Sequence, residues 1–284
     1  MTMLLDRHPA IVSNGEAFPF SVDDRDTYIC SCGKAIDSCN FYRNVAAHLW
    51  CGDHFDSALF VREPTLRLSS PLKRLALSTR LSGRLRDSIF ATIPEYRRAT
   101  RAFVGAHVAF MKKATEWTGA QVYLDATKSI RRAELLLGET GHRPHLWLLV
   151  RDCRGFCWSA LRNWRLSPDH VGRVARQWVE YNECAERLAR KTGVTLEIVR
   201  YDSLCANPIA TLRRLVEGLG VASADNSFDN TGQVHHVLGN RLRMSFDGTI
   251  KPDTEWREGF DHDALARIRA VAGRTMSRLG FDEN

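Results

Sequence analysis

The chain has 284 residues, 44% of them hydrophobic and 26% charged, with a formal net charge of +7. This is enough to bury a substantial core and excludes a chain that is disordered throughout. No run of about 18 apolar residues occurs, which excludes an ordinary membrane-spanning helix.

The basic excess is almost all arginine, since only seven lysines occur. The planar guanidinium suits phosphate and sulfate oxygens. Arginine written simply as surface charge accounts for most of them equally well, so only arginines in special positions count. The opening MTMLLDRHPAI is too short and wrongly flanked for a signal peptide. Eight cysteines are spread unevenly, four of them from Cys30 to Cys51, without the dense framework of a small secreted domain. A reducing, cytoplasmic location is expected.

In chain order, a short opening helix and the Cys-rich stretch come first. Cys30, Cys32, Cys39 and Cys51, with His48 and His54 nearby, raise the question of zinc. Their C-x-C-x6-C-x11-C spacing lacks paired C-x2-C knuckles, so no metal is assigned. Residues 64–92 are rich in Arg, Ser and Leu without a clean period and read as a helical or mobile insertion. From Pro94 to Trp117 the residues Tyr96, Ala99, Phe103, His107, Phe110, Ala114 and Trp117 fall three or four apart, predicting an amphipathic helix. Pro94 suits its first turn and Gly119 its stop.

Gln121 to Asp125 reads as a short strand and Ser129 to Glu139 as a helix ended by Gly141. His145 to Val150 is a continuous apolar run, expected of a strand covered on both faces. A helix over Asp169 to Lys191, a strand over Thr195 to Arg200 and a helix from Asn207-Pro208 to Leu219 follow. Strands alternating with helices predict a single α/β domain over 1–284, a parallel sheet flanked by helices. Ligands of such sheets sit beyond the carboxyl ends of the strands, so the loops after Leu124, Val150 and Arg200 matter most.

Arg151 stands at one of those strand ends, and Ser159 follows after a loop and the first part of a helix. An arginine and a hydroxyl near a helix start make an anion site, because unpaired N–H groups and the helix dipole add to the side-chain donors. A surface arginine and an ordinary helical serine are the plain alternative.

The segment Arg151-Asp152-Cys153-Arg154 through Ser159 resembles the 3′-phosphate motif of the sulfotransferases, enzymes that use 3′-phosphoadenosine 5′-phosphosulfate. HPAIVSNGEAF (His8 to Phe18), YLDATKS (Tyr123 to Ser129), VRYDSLCANP (Val199 to Pro208) and HHVLGNRLR (His235 to Arg243) with Trp256 resemble further segments of that family, in the family's order. CSCGKAIDSCNFY (Cys30 to Tyr42) resembles a Cys-rich stretch in some bacterial members.

The resemblance implies a P-loop-NTPase-like fold. It also implies transfer of a sulfuryl group to a hydroxyl or amine, leaving adenosine 3′,5′-bisphosphate as product. Glu16 is then the expected base and Lys128 the expected cation at the transferring group or at the acceptor. Arg151 and Ser159 would grip the 3′-phosphate and Tyr201 would reach the adenine. Gly239, Asn240, Arg241 and Arg243 would form the late loop over the nucleotide.

The family's first strand and phosphate loop would lie just before the segment Thr2 to Asp6, at the start of the chain. A late start codon, a truncation and a degenerate protein are the three explanations, and the intact downstream motifs favour the first. A small-molecule, lipid or glycan acceptor is expected, with no nucleic acid. A nucleotide-binding domain without catalysis is the alternative. A basic nucleic-acid binder ranks last, because stacking aromatics in the Arg-rich region reduce mainly to Phe90 and Tyr96.

Overall fold

The computed structural model describes residues 1–17, 28–47, 50–51, 54–55, 71, 89–139, 144–222, 227–228, 235–239 and 241–281. The predicted insertion over 64–92 thus lies largely outside the described residues. The chain packs as two compact units, Met1–His142 with Val221–Gly248, and Arg143–Gly220 with Thr249–Asn284. The architecture is α/β, as the alternation of elements predicts. Among the described residues no helix is long and apolar enough to cross a membrane.

The first unit begins with helix α1 (Thr2–Leu5) and strand β1 (Ile11–Gly15). Glu16 therefore follows strand β1 rather than the opening helix. Only Ile11 and Val12 are apolar there, yet every residue of β1 is buried. Distant partners explain this. The Ser13 amide donates to Asp6 Oδ1 at 2.6 Å, the Ser13 hydroxyl donates to the Leu124 carbonyl at 2.7 Å, and the Tyr123 hydroxyl donates to Asn14 Oδ1. Buried polar groups are tolerated when they are bonded in this way.

Helix α2 (Asn40–Val45) and a short antiparallel pair, β2 (Trp50–Cys51) with β3 (His54–Phe55), come next. Helix α3 (Pro94–Thr118) matches its prediction, with Pro94 in the first turn and Gly119 as C-cap. Its buried stripe holds Tyr96, Phe103, His107, Phe110 and Ala114. The stripe ends at Ala114, so Trp117 in the last turn is exposed, contrary to its expected place on the apolar face. Strand β4 (Val122–Asp125) pairs in parallel with β1, and helix α4 (Ile130–Glu139) follows. The core of this unit gathers Val12, Ile36, Phe41, Tyr42, Val45, Phe110 and Leu238.

The second unit starts with β5 (Leu146–Val150), which runs directly into helix α5 (Cys153–Asn163) and then α6 (Val171–Thr192). Strand β6 (Leu196–Arg200) pairs with β5 in parallel, from Leu146 opposite Leu196 to Val150 opposite Arg200. Helices α7 (Tyr201–Ala206), α8 (Pro208–Glu217), α9 (Trp256–Gly259) and α10 (His262–Arg278) complete it. Val171, Val174, Ala175, Trp178, Asn182, Ala185, Leu188 and Ala189 form the buried face of α6 at helical spacing.

One expectation changes here. Strand β5 is not covered on both faces: α6 packs on it, yet Leu149 of β5 and Ile198 of β6 are exposed. Each unit, taken by itself, holds a two-stranded parallel sheet among the described residues, β1 with β4 in the first and β5 with β6 in the second.

Candidate functional site

In the first unit the pairing of β1 with β4 shifts register between Ser13 and Gly15. Such an irregularity turns the chain at a strand end. Glu16 comes next, and its amide donates to the Leu238 carbonyl at 3.2 Å. At the same end of the sheet, the turn after β4 carries Thr127 and Lys128. Thr127 joins the two turns, since its hydroxyl accepts the Ala17 amide at 2.7 Å. Lys128 Nζ stands 2.5 Å from Glu16 Oε1. The two residues expected to do the chemistry, 112 positions apart in the chain, thus form an ion pair. Lys128 is 70% exposed along its side chain and Glu16 24%, so the pair can be reached from solvent.

A residue the sequence did not single out braces this turn. Arg132 on α4 donates to Asp125 Oδ2 through Nε at 3.0 Å and Nη2 at 2.8 Å, and the Thr127 amide donates to Asp125 Oδ1 at 2.9 Å. Burial alone would raise the Asp125 pKa, but the Arg132 charge and the Thr127 bonds override it and hold the carboxyl below its ordinary value.

Of the late loop, Gly239 packs on Glu16. Its φ of +119° is one that L side chains rarely adopt, and a Cβ there would stand 3.1 Å from Glu16 Oε1. Arg243 is occupied structurally. It donates to the Gly239 and Ile29 carbonyls, each at 2.5 Å, and lies over the Tyr28 ring. The Tyr28 hydroxyl bonds both the amide and the carbonyl of Gly239 at 3.0 Å. Arg243 therefore serves as a brace of the loop. Asn240 and the side chain of Arg241 lie outside the described residues; the Arg241 backbone begins a short 3-10 turn, Arg241–Met244.

In the second unit Arg151 follows β5 directly, and its carbonyl accepts from Trp178 Nε1 on α6 at 3.1 Å. Its guanidinium lies over the ring of Tyr201, 5.8 Å from the centroid, so two residues expected at the nucleotide meet. Tyr201 opens α7, and its hydroxyl donates to the Lys251 carbonyl at 2.9 Å. Burial, then hydrogen bonding with Cys205, pushes that hydroxyl's pKa up to about 12. Arg151 Nη2 is ion-paired with Asp253, whereas its Nε is buried without a hydrogen-bond partner among the described residues.

The start of α5 differs from the expected free anion site. The helix begins at Cys153 with no preceding loop, and Asp152 caps it by accepting the Arg154 amide at 2.8 Å. The same carboxylate accepts from Arg154 Nε and Nη2, at 3.0 and 2.7 Å, and Arg154 lies 4.2 Å from the centre of the Trp256 ring. A carboxylate of the chain itself thus answers the positive end of this helix. Ser159 lies further along the helix, and its hydroxyl accepts from Asn163 at 3.1 Å.

Asp253 and Arg132 were not legible as site residues, because what marks them is a partner or a geometry with no local sequence signature. A shallow groove of about 580 Å³ lined by Trp164, Arg173, Arg176 and Glu180 holds none of the expected site residues. No protein-family model matches the chain, and no curated protein matches it.

Proposed function

We propose that this chain transfers a sulfuryl group from 3′-phosphoadenosine 5′-phosphosulfate to a hydroxyl or amine of a small-molecule, lipid or glycan acceptor, on a P-loop-type α/β fold. The observation that carries the reading is the ion pair of Glu16 and Lys128 at the carboxyl ends of two paired parallel strands. Active sites of parallel sheets form at that edge.

Glu16 takes the proton of the acceptor as the acceptor's oxygen or nitrogen bonds to sulfur. The bond from sulfur to the bridging oxygen of the 5′-phosphate breaks, and its electron pair leaves with the nucleotide. Lys128 sets its ammonium against the negative oxygens of the moving group, where a fixed cation favours the transition state. Both roles require the pair to part when substrates enter, which the exposure of Lys128 allows.

Arg151 suits a phosphate because its side chain is about one-third exposed and its Nε has no partner among the described residues. Tyr201 offers an aromatic face beside it. Ser159 adds a hydroxyl from α5, and Gly239, lacking a Cβ, lets the loop backbone approach Glu16 closely.

A binding domain without transfer is the second reading. It is favoured by Asp253, whose carboxylate already engages the guanidinium that a phosphate would use. Donor labelled on the sulfuryl sulfur, incubated with pooled hydroxyl and amine acceptors, separates the two. Label moving to an acceptor, and moving far more slowly with Glu16→Gln, supports transfer; nucleotide binding with the donor left intact supports the second reading.

A further inference from the structure

Three thiols and one imidazole nitrogen converge in the first unit. The Sγ atoms of Cys30, Cys32 and Cys39 and a ring nitrogen of His236 all lie within 4.8 Å of one another. Cys32 Sγ is 3.7 Å from Cys39 Sγ, and His236 Nδ1 is 3.2 Å from Cys39 Sγ and 3.7 Å from Cys30 Sγ. A tetrahedral zinc with bonds of about 2.3 Å to sulfur and 2.0–2.1 Å to nitrogen sets its ligand atoms roughly 3.5–3.8 Å apart. The observed separations bracket that range.

The backbone around the four residues is arranged to present them. Cys30 and Cys32 stand on a tight turn. The Cys30 amide donates to the Lys34 carbonyl and the Gly33 amide to the Cys30 carbonyl, both at 2.9 Å. Gly33 takes the φ of +83° that this turn needs. Cys39 is delivered by the 3-10 turn Ile36–Ser38, at the start of α2.

His236 comes from 197 residues further along the chain and is fixed from both sides. Ser31 bonds the His235 carbonyl at 2.7 Å and the Val237 amide at 2.8 Å through its hydroxyl, and the Tyr42 hydroxyl donates to the His236 carbonyl at 2.5 Å. The imidazole stacks on Phe41 at 4.8 Å with 4° between the ring planes. With Nδ1 turned to the sulfurs, Nε2 is left to carry the ring proton.

Cysteines that act only as core hydrophobes scatter among apolar neighbours; these three instead turn their sulfurs to one point shared with a nitrogen. Thiolate and imidazole donors in a tetrahedron select zinc among the common divalent ions. Four protein ligands leave no open position, which is the mark of a structural site. We propose that Cys30, Cys32, Cys39 and His236 bind one zinc ion, which pins the segment bearing Gly239 to the Cys30–Cys39 turn. The fourth ligand is thus His236. The other candidates raised by the sequence, Cys51, His48 and His54, have side chains outside the described residues.

This inference is independent of the sulfuryl-transfer reading, because its readouts are metal content and spectroscopy. The full chain, purified under reducing conditions and loaded with zinc, is analysed for metal by mass spectrometry and titrated with cobalt(II). One equivalent of zinc is expected, with the intense visible bands of tetrahedral thiolate-bound cobalt, and binding releases thiol protons.

Cys32→Ser and His236→Ala should weaken zinc binding by more than the roughly 10–100-fold typical of losing an outer partner of a ligand. Cys205→Ser, outside the cluster, should bind as the parent does. Substoichiometric metal after loading, a Cys32–Cys39 disulfide in the reduced preparation, or equal zinc affinity in parent and Cys32→Ser would each overturn the site. The titration of the parent chain decides the matter even where a variant fails to fold.

Discussion

Replacing Arg132 by methionine tests how the turn that presents Lys128 is held. The Arg132 side chain is only 5% exposed and its partner Asp125 21%. Removing the guanidinium removes two charged hydrogen bonds and leaves the carboxylate with its Thr127 bonds. Breaking a buried pair from one side costs about 3–5 kcal/mol. Asp125 keeps some contact with water, which places the expected loss near the low end, about 3 kcal/mol.

Because Asp125 titrates below its ordinary range in the folded protein, the parent pair contributes stability above the unfolded carboxyl value of about 3.9, and that stability is lost as pH falls through the folded value. In Arg132→Met the lowering charge is gone and burial dominates, so Asp125 binds its proton at higher pH. The gap between variant and parent should therefore narrow as pH is lowered from 7 toward 4. Urea unfolding across that range, with hydrogen exchange of the β1 and β4 amides to report on the first unit, measures both effects. Adding Asp125→Asn should recover part of the loss. A single variant within about 1 kcal/mol of the parent, or a double variant no better than the single, would refute the coupling; ~1 kcal/mol is what an ordinary hydrogen bond contributes.

Three further outcomes follow from the same geometry. Asp253→Asn, which removes the charge competing for Arg151, should tighten binding of adenosine 3′,5′-bisphosphate by about fivefold in calorimetry, or about 1 kcal/mol; unchanged affinity would mean that the two anions do not compete. Glu16→Gln should leave nucleotide affinity alone and slow transfer by about 10²–10⁴-fold in single-turnover measurements, the range for losing a general base. Gly239→Ala forces an alanine into the left-handed region and a Cβ against Glu16, so a stability loss of about 1–3 kcal/mol should appear in thermal unfolding, together with slower transfer.

Of the long helices, α3 and α6 were legible in this sequence, whereas α10 was not. The stripe from Tyr96 to Ala114 marks α3, and the apolar positions of α6 and α8 repeat at the same spacing, so local periodicity reached their boundaries within a few residues. Strands β4, β5 and β6 were legible from short apolar runs closed by polar residues. Strand β1 was not, because Ser13 and Asn14 are buried only by virtue of bonds to Asp6, Leu124 and Tyr123.

The same reason divides the site. Glu16 and Lys128 each stood out next to a recognisable turn, and the structure brings them together as an ion pair. Asp253 on Arg151 and His236 among the cysteines are long-range partners, and no window along the chain contains them. The expectation of a free helix start after Val150 failed on a single residue: Asp152 is both the residue after Arg151 and the cap of α5.

The proposed transfer requires Arg151 to hold a phosphate of the donor nucleotide. Calorimetric titration of the chain and of Arg151→Ala with adenosine 3′,5′-bisphosphate at fixed salt tests it most directly. Saturable binding of one nucleotide per chain, weakened in the variant by about 10–150-fold for the loss of a charged contact of roughly 1.5–3 kcal/mol, is the predicted result. Equal affinity in the two proteins, or no binding to either, would contradict it.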